Sequence, residues 1–174
     1  MRFRNKITGT GADYSFRKTQ NITPNFLKNR GIKGLILDVD NTLTTDENPV
    51  PPESIVKWLE TMRKNGIKLI IVSNNHDERV RAFAEPLGLD YVCESLKPSK
   101  KGYTEAMQKM GLEPHEVAGV GDQLFTDVWG ANFSGITSIY VQPMAIEGKE
   151  KRFILFKRKL EKPFLPVKYF DDKL

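Results

Sequence analysis

The sequence predicts an α/β fold built around a parallel β-sheet, and two observations support this. Short apolar runs rich in Val, Ile and Leu alternate with longer amphipathic segments over most of the chain. The apolar runs lack polar alternation, which is typical of strands that are buried on both faces of a parallel sheet. Strands and helices that alternate with short connections place helices on both faces of the sheet, as in a Rossmann-like three-layer sandwich.

Five strands and four main helices are predicted in chain order. The predicted strands are Gly34–Leu37, Leu69–Val72, Asp90–Val92, Val117–Val120 and Ile136–Val141. The predicted helices are Pro52–Asn65, Asp77–Leu87, Ser99–Met110 and Thr126–Phe133. Gly66, Gly88 and Gly111 follow the first three helices, where glycine readily adopts the left-handed conformation that ends many helices.

The charge distribution divides the chain of 174 residues into three predicted regions. Residues 1–33 form a basic extension with a net charge of +7, which we expect to pack on the core through a short helix at Pro24–Arg30. Residues 34–144 form the core, with a net charge of −6. Residues 145–174 form a basic, aromatic tail with a net charge of +4. The acidic residues therefore gather in the core.

The composition favours a cytoplasmic protein. No run of the sequence reaches the ~18 apolar residues of a membrane-spanning helix. Met1–Lys6 is charged and is not followed by the apolar run of a secretory signal, although the basic residues 1–20 leave a transit peptide as an alternative. The single cysteine, Cys93, cannot form an internal disulfide, which fits a reducing compartment.

Polar side chains follow four of the predicted strands, at the point where each strand ends. They are Asp38, Asp40 and Thr42 after the first strand, Ser73 and Asn74 after the second, Lys97 after the third, and Asp122 and Asp127 after the fourth. Because the carboxyl ends of parallel strands meet at one edge of the sheet, we expect these side chains to converge. Neighbouring carboxylates repel each other by ~1–4 kcal/mol at ~4 Å. An oxygen-rich pocket of this kind suits Mg²⁺.

These residues are suited to phosphoryl transfer. A bound cation would screen Asp38 from an incoming phosphate, so that Asp38 could act as the nucleophile and become phosphorylated. Asp40 could protonate the leaving oxygen and later deprotonate the attacking water. Ser73 and Lys97 could hold the phosphoryl oxygens. Since Asp and Asn after a strand are also common turn formers, the prediction depends on the whole set and not on any single residue.

The chain resembles subfamily III of the haloacid dehalogenase superfamily of phosphohydrolases in the order and spacing of four motifs. The motifs are Asp38-x-Asp40-x-Thr42, Ser73, Lys97 and Gly121-Asp122-x-x-x-Thr126-Asp127. Longer runs, among them Val72-Ser73-Asn74-Asn75, are similar to those of the bacterial YqeG-type phosphatases. These phosphatases are similar to the mitochondrial phosphatases that act on phosphatidylglycerophosphate. The resemblance spans roughly residues 22–143.

The resemblance implies a HAD-like core and a role for each motif. It implies a nucleophilic Asp38, an acid/base Asp40, and Mg²⁺ held by Asp38, the main-chain carbonyl of Asp40 and Asp122, with Asp127 nearby. Asn41 stands where the superfamily more often has a small residue, and Asn tolerates unusual backbone angles. The complete predicted site comprises catalytic Asp38 and Asp40, phosphate-binding Thr42, Ser73, Asn74 and Lys97, and metal-binding Asp38, Asp40, Asp122 and Asp127.

The spacing of the motifs leaves no room for a cap domain, because residues 44–69 and 74–97 are each filled by one helix and one strand. An open site suits a bulky phosphorylated substrate, such as a lipid head group or a phosphoprotein; alternatively, a second subunit or the tail provides a lid. Residues 149–162 mix Lys and Arg with Phe and Leu. They could contact the inner face of an anionic membrane peripherally, together with the basic N-terminus, or pack on the core.

A signalling receiver domain is the alternative function of a different class. Receiver domains also hold a phosphoaspartate with acids, Mg²⁺, a hydroxyl and a lysine, but their phosphoacceptor lies on a later strand than the acidic pair. Here the second strand ends in Ser73-Asn74-Asn75, which favours the hydrolase. Nucleotides and sugar phosphates remain alternative substrates, and no specific nucleic-acid contact is predicted. Trp58 and Trp129 are expected to anchor the core.

Overall fold

The structure of the protein is a computed structural model. It describes residues 11–45, 48, 50–144, 158–166 and 168–173. Most of the segment predicted to contact a membrane, residues 149–157, lies outside the described residues. Within the described residues, no helix is long and apolar enough to cross a bilayer.

The described chain forms a six-stranded sheet in which all neighbouring strands are parallel. The strands are β1 (Tyr14–Phe16), β2 (Gly34–Leu37), β3 (Lys68–Val72), β4 (Asp90–Val92), β5 (Val117–Gly121) and β6 (Thr137–Val141). Their spatial order is β1-β6-β5-β2-β3-β4, so β2 lies between β5 and β3. The predicted fold class is confirmed. The carboxyl ends of β2, β3 and β5 lie side by side at one edge.

Five α-helices connect the strands. They are α1 (Pro24–Lys28), α2 (Glu53–Lys64), α3 (Asp77–Ala84), α4 (Lys100–Met110) and α5 (Trp129–Phe133). Three helices differ from their predicted bounds by one or two residues, and two differ by three residues. In the connection between β3 and β4, Glu85–Leu87 is 3₁₀-helical, since Pro86 has no N–H to continue the α-helical pattern. The last helix is preceded by a π-helical turn at Leu124–Val128. Among the described residues, the loops between β2 and β4 contain no further domain, as the prediction of an uncapped fold requires.

The core consists of two hydrophobic layers, one on each face of the sheet. Along β2, Leu35 and Leu37 belong to the layer that contains residues of α1, α2 and α3. Ile36 belongs to the layer that contains residues of α4 and α5. This alternation follows from the two-residue period of a strand. It explains why the strand sequence is apolar throughout and why the fold has three layers.

Strand β1 was not predicted. It pairs with β6 at the edge of the sheet, with Phe16 opposite Val141. Its three residues include the polar Ser15, so they do not form the apolar run by which the other strands were recognised. The described part of the extension therefore includes an edge strand of the sheet. Whether the chain divides at the two predicted boundaries, after residues 33 and 144, stays a prediction.

The two tryptophans differ in environment. Trp58 is 6% exposed, and its indole N–H donates to the carbonyl oxygen of Ile22 at 2.8 Å. Trp129 is 42% exposed, so the prediction that it anchors the core is wrong. The buried residues of α5 are the small Gly130 and Ala131. They allow the helix to approach α4 closely and direct the adjacent indole toward the surface.

Candidate active site

An ion pair at the carboxyl end of β2 forms the centre of the site. Asp38 directly follows the strand, and its backbone N–H donates to the carbonyl oxygen of Val120 on β5 at 3.0 Å. The ammonium group of Lys97 donates to Asp38 Oδ1 at 2.6 Å and to Asp127 Oδ1 at 2.8 Å. Asp38 is 9% exposed and Lys97 is 8% exposed. Because water is largely excluded, these charges interact more strongly than they would at the surface.

Three carboxylates meet beside this ion pair. Asp38, Asp122 and Asp127 each present one oxygen, and these three oxygens lie within 4.8 Å of one another. The hydroxyl of Thr42 lies 3.1 Å from Asp38 Oδ2 and 3.4 Å from Asp122 Oδ1, so it lies between the first two carboxylates. A compact, buried set of carboxylate and hydroxyl oxygens fits the ligand preference of Mg²⁺. The observed cluster therefore suits the predicted cation.

The pKa values of the cluster reflect its burial. Burial raises the pKa of Asp38 to about 7, opposed by the charge of Lys97 and reinforced by Asp127. Burial also raises the pKa of Asp122 well above its usual value, reinforced by Asp38 and opposed by Arg158. Although burial by itself favours a neutral amine, the carboxylates of Asp127 and Asp38 raise the pKa of Lys97. A divalent cation would favour the ionised form of both Asp38 and Asp122.

The loop after β2 separates Asp40 from this cluster. Asn41 adopts a left-handed conformation, with φ of 61°, which Asn tolerates better than most residues. Its N–H donates to the carbonyl oxygen of Thr44 at 2.6 Å, and its carbonyl oxygen accepts from the N–H of Met144 at 2.8 Å. The Asp40 side chain is 20% exposed. Its carboxylate is not among the three clustered ones, and the contact of its main-chain carbonyl with the metal stays a prediction.

Two donors hold the carboxylate of Asp40. Arg79 Nη2 lies 2.5 Å from Asp40 Oδ1, and the side-chain amide of Asn75 donates to Oδ2. Sequence analysis gave Arg79 no role. The position of Arg79 in the sequence could have indicated such a role, because Arg79 lies in the first turn of α3, which begins soon after β3 ends. Residues in that turn lie at the same edge of the sheet as the strand ends.

Ser73 and Asn74 contact the loop that carries Lys97. Ser73 is buried, and its hydroxyl accepts from the N–H of Asn75 at 3.1 Å. The side-chain carbonyl of Asn74 accepts from the N–H of Lys97 at 2.6 Å and from the hydroxyl of Ser95 at 2.9 Å. The two contacts of Asn74 position Lys97. Phosphate binding by Ser73 and Asn74 stays a prediction.

The connection after β5 brings Asp127 close to the strand end. A Cβ atom on Gly121 would lie 2.3 Å from Cγ of Asp127, so only glycine fits there. Asp127 Oδ2 accepts from the N–H of Gln123 at 3.0 Å, and its carbonyl oxygen accepts from the hydroxyl of Tyr103 at 3.1 Å. The structure thus brings Asp38, Thr42, Lys97, Asp122 and Asp127 into direct contact, with Asp40 at the rim.

Comparisons with known proteins identify the family. The family model described as haloacid dehalogenase-like hydrolase matches residues 45–135, more than half of the chain. The chain belongs to this family. It is 43% identical over 124 residues to the probable phosphatase YqeG of Bacillus subtilis, which covers 71% of this chain and 72% of that protein. These matches confirm that the protein is a HAD-like hydrolase and a phosphatase, as predicted.

Two more distant similarities extend the comparison of this hydrolase. It is 27% identical over 166 residues to phosphatidylglycerophosphate phosphatase 1, chloroplastic/mitochondrial, of Arabidopsis thaliana, covering 81% of this chain and 45% of that protein. The chain therefore spans less than half the length of this plant relative. The cobalt-bound phosphatase YrbI of Haemophilus influenzae has a TM-score of 0.54 and 15% identity, covering 78% of this chain and 88% of that one. The latter similarity shows the shared fold.

The described part of the hydrolase's tail also reaches the site. Residues 158–161 are helical. Arg158 Nη2 lies 2.7 Å from Asp122 Oδ2, and the carboxylate of Glu161 accepts from the N–H of Phe125 at 3.0 Å. Sequence analysis gave neither residue a role in the site. Neither follows a strand, and neither belongs to a motif, so no local signal marks them.

Proposed function

We propose that this phosphatase hydrolyses phosphate monoesters through phosphorylation of Asp38. The observation that supports this proposal is the environment of the Asp38 carboxylate, with Lys97 on one oxygen, Thr42 on the other, and two further carboxylates beside it. A carboxylate held in this way lies at the carboxyl end of a parallel strand, which is the edge at which ligands bind in open α/β sheets. Its partners are fixed before the substrate arrives, so little reorganisation is needed.

The proposed reaction has two displacement steps. In the first, an oxygen of Asp38 forms a bond to phosphorus while the bond from phosphorus to the leaving oxygen breaks, and Asp40 donates a proton to that oxygen. In the second, a water oxygen attacks the same phosphorus, Asp40 accepts the proton of the water, and the bond from phosphorus to Asp38 breaks. Inorganic phosphate leaves, and both carboxyl groups return to their starting states.

We assign the predicted Mg²⁺ to Asp38, Asp122 and the main-chain carbonyl of Asp40, with Asp127 nearby. When bound, the ion would offset the negative charge of the carboxylates and of the substrate phosphate. Lys97 is the proposed ligand of a phosphoryl oxygen, as a charge already oriented by Asp38 and Asp127.

Phosphatidylglycerophosphate is our candidate substrate. The plant relative is named for this activity, and a groove of about 500 Å³ lies beside the loop that carries Asp40. Thr19 lines the groove, and its hydroxyl donates to the carbonyl oxygen of Thr42 at 2.9 Å, which ties the groove to the catalytic loop. Lys18 also lines it and would favour a second phosphate group on the substrate.

We also propose that an exposed aromatic patch, in addition to the predicted basic ends, makes peripheral contact with the inner face of a membrane. We define this patch as Phe125, Trp129, Phe133 and Phe164. Three of its members, Trp129, Phe133 and Phe164, are 42%, 53% and 51% exposed. The rings of Phe125 and Trp129 lie 4.7 Å apart, and Phe125 also belongs to the turn that carries Asp127. Aromatic side chains at a surface favour the interfacial region of a bilayer, so a patch here would bring the site to a lipid substrate.

Replacing the nucleophile tests the proposed chemistry. We expect Asp38→Asn to lower Mg²⁺-dependent phosphate release from an aryl phosphate by ~10³-fold or more, because no carboxylate oxygen remains to attack. Rapid quenching with a labelled substrate should trap label on the parent protein and none on the variant. Substantial turnover by a folded Asp38→Asn protein would contradict the proposal. The parent should be assayed in parallel on phosphatidylglycerophosphate, a phosphopeptide, a nucleotide and a sugar phosphate.

Vesicle binding tests the aromatic patch. We expect Phe133→Ser to reduce sedimentation of the protein with anionic vesicles several-fold, because a half-exposed aromatic ring leaves the interface. Activity on the soluble aryl phosphate should be unchanged. Leu96→Ser is the matched control, since Leu96 is 73% exposed and lies outside the patch. Equal sedimentation of the parent and Phe133→Ser would exclude this surface as the membrane contact.

A further inference from the structure

The described tail is attached to the segment between β5 and α5 at two points. Arg158 contacts Asp122 at the start of this segment, and Glu161 contacts the N–H of Phe125 three residues later. Arg158 and Glu161 are themselves three residues apart in a helical turn, so their side chains lie on the same side of that turn. The tail therefore contacts the segment that holds Asp122 and Asp127.

The two oxygens of Asp122 have different surroundings. Oδ1 lies 3.4 Å from the hydroxyl of Thr42, and that same hydroxyl lies 3.1 Å from Asp38 Oδ2. Oδ1 is therefore the oxygen on the side of Asp38. Oδ2 lies 2.7 Å from the guanidinium of Arg158. The guanidinium thus fixes the rotation of the carboxylate and determines which oxygen lies toward Asp38.

Arg158 also complements the charge of the cluster. Lys97 contacts Asp38 and Asp127, whereas Arg158 contacts the third carboxylate, Asp122. Asp122 is fully buried, and the Arg158 side chain is 19% exposed. An ion pair of this kind orients its partners strongly because water competes little for either group. Arginine also stays charged under all ordinary conditions.

Buried contacts hold the tail in this position. Glu161 is 2% exposed, and its hydrogen bond to Phe125 is therefore shielded from water. Leu165 packs against a cluster that includes Leu124, Val128 and Tyr140. These contacts lie on the same segment that supplies the metal ligands, so the position of Arg158 is determined by the folded core and does not depend on the substrate.

We propose that Arg158 is a positioning residue of the metal site, which holds Oδ2 of Asp122 so that Oδ1 is presented to the cation. Arg158 acts through Asp122 and does not contact the reacting atoms. Glu161 fixes the helical turn that carries it. This inference rests on the proposed function, since it assumes that Asp122 is a metal ligand. It assigns the tail a part in the active site, in addition to any contact with a membrane.

Metal binding in the absence of substrate tests this inference. We expect Arg158→Met to weaken Mg²⁺ binding, measured by titration calorimetry on the full chain, by about tenfold, as is usual for residues that orient a metal ligand. Arg158→Lys should lie between this variant and the parent, because it keeps the charge and loses the planar guanidinium. Lys159→Met is the matched control, since Lys159 is exposed in the same helical turn, and it should bind Mg²⁺ as the parent does.

The outcomes separate this inference from the proposed function. If the parent binds Mg²⁺ and Arg158→Met binds it equally well, the inference is wrong and the proposed function stands. If Arg158→Met binds Mg²⁺ more tightly, Arg158 competes with the cation for Asp122, which also overturns the inference. A parent protein that binds no divalent cation would overturn both. If circular dichroism shows that Arg158→Met is unfolded, Arg158→Lys decides the question by the same criterion.

Discussion

The inner part of the site, around Asp38, and the outer part, around Asp40, place an aspartate in two different environments. Asp38 is buried beside two other carboxylates, and Lys97 is its cationic partner. Asp40, two residues later, lies at the rim with Arg79 and Asn75 on its two oxygens. Because the loop after β2 turns between the two residues, Asp38 is buried and the Asp40 side chain is partly exposed to solvent. The environment, and not the residue type, therefore distinguishes the proposed nucleophile Asp38 from the proposed acid/base Asp40.

The pH dependence of stability should show the largest difference between the two parts. In the metal-free protein, burial raises the pKa of Asp38 from 3.8 to about 7. The folded protein therefore binds a proton that the unfolded chain releases above pH ~4. This contribution to stability is complete below pH ~4 and is lost as pH rises through about 7. A three-unit rise corresponds to at most ~4 kcal/mol; because other groups of the cluster respond, we expect a loss of about 2–4 kcal/mol.

Two variants assign this loss to the inner part. In Asp38→Asn the pH-dependent loss in the free energy of unfolding between pH 4 and pH 8 should be smaller than in the parent, as measured by denaturant titration in a metal chelator; the part that remains comes from Asp122, whose pKa is also raised by burial. Asp40→Asn leaves the buried cluster intact and should keep the loss. Saturating Mg²⁺ should reduce the loss in the parent, because the cation replaces the proton. If the free energy of unfolding falls with pH by the same amount in the parent and in Asp38→Asn, Asp38 is not the group responsible for the loss.

A smaller effect is expected at the rim. Arg79→Met should lower kcat by about tenfold, because the Asp40 carboxylate loses one of two oriented donors and its proton transfer becomes less efficient. The Arg79 side chain is 39% exposed, so the free energy of unfolding should fall by less than ~1 kcal/mol. The readouts are steady-state kinetics and the pH profile of kcat, which should change shape if Arg79 acts through Asp40.

Arg81 offers the control for this variant on the same helix. It is half exposed and lies 3.7 Å from Asp77, four residues earlier, away from Asp40. Arg81→Met should leave kcat and its pH profile at parent values. Arg79→Lys should restore part of the activity. If both arginine-to-methionine variants behave alike, the contact between Arg79 and Asp40 has no part in the reaction.

Local sequence patterns were sufficient for the central part of the fold. Gly34–Leu37 has the predicted bounds, because a strand buried on both faces requires a short run of apolar residues. The edge strand Asp90–Val92 also has the predicted bounds, although only Val92 is buried. The convergence of Asp38, Asp122 and Asp127 could be predicted for a related reason. In a parallel sheet, residues that follow neighbouring strands must meet at one edge.

The sequence by itself thus determined the parallel sheet, the motif residues and the acidic site. Tertiary structure alone decided that Tyr14–Phe16 joins the sheet and that Trp129 faces outward, since both depend on which neighbour is available. It also decided the contacts of Arg79 and Arg158 with their aspartates. An ion pair has no periodicity, and Arg158 lies 36 positions from Asp122 along the chain. Such a pair is fixed only when the folded core brings the two segments together.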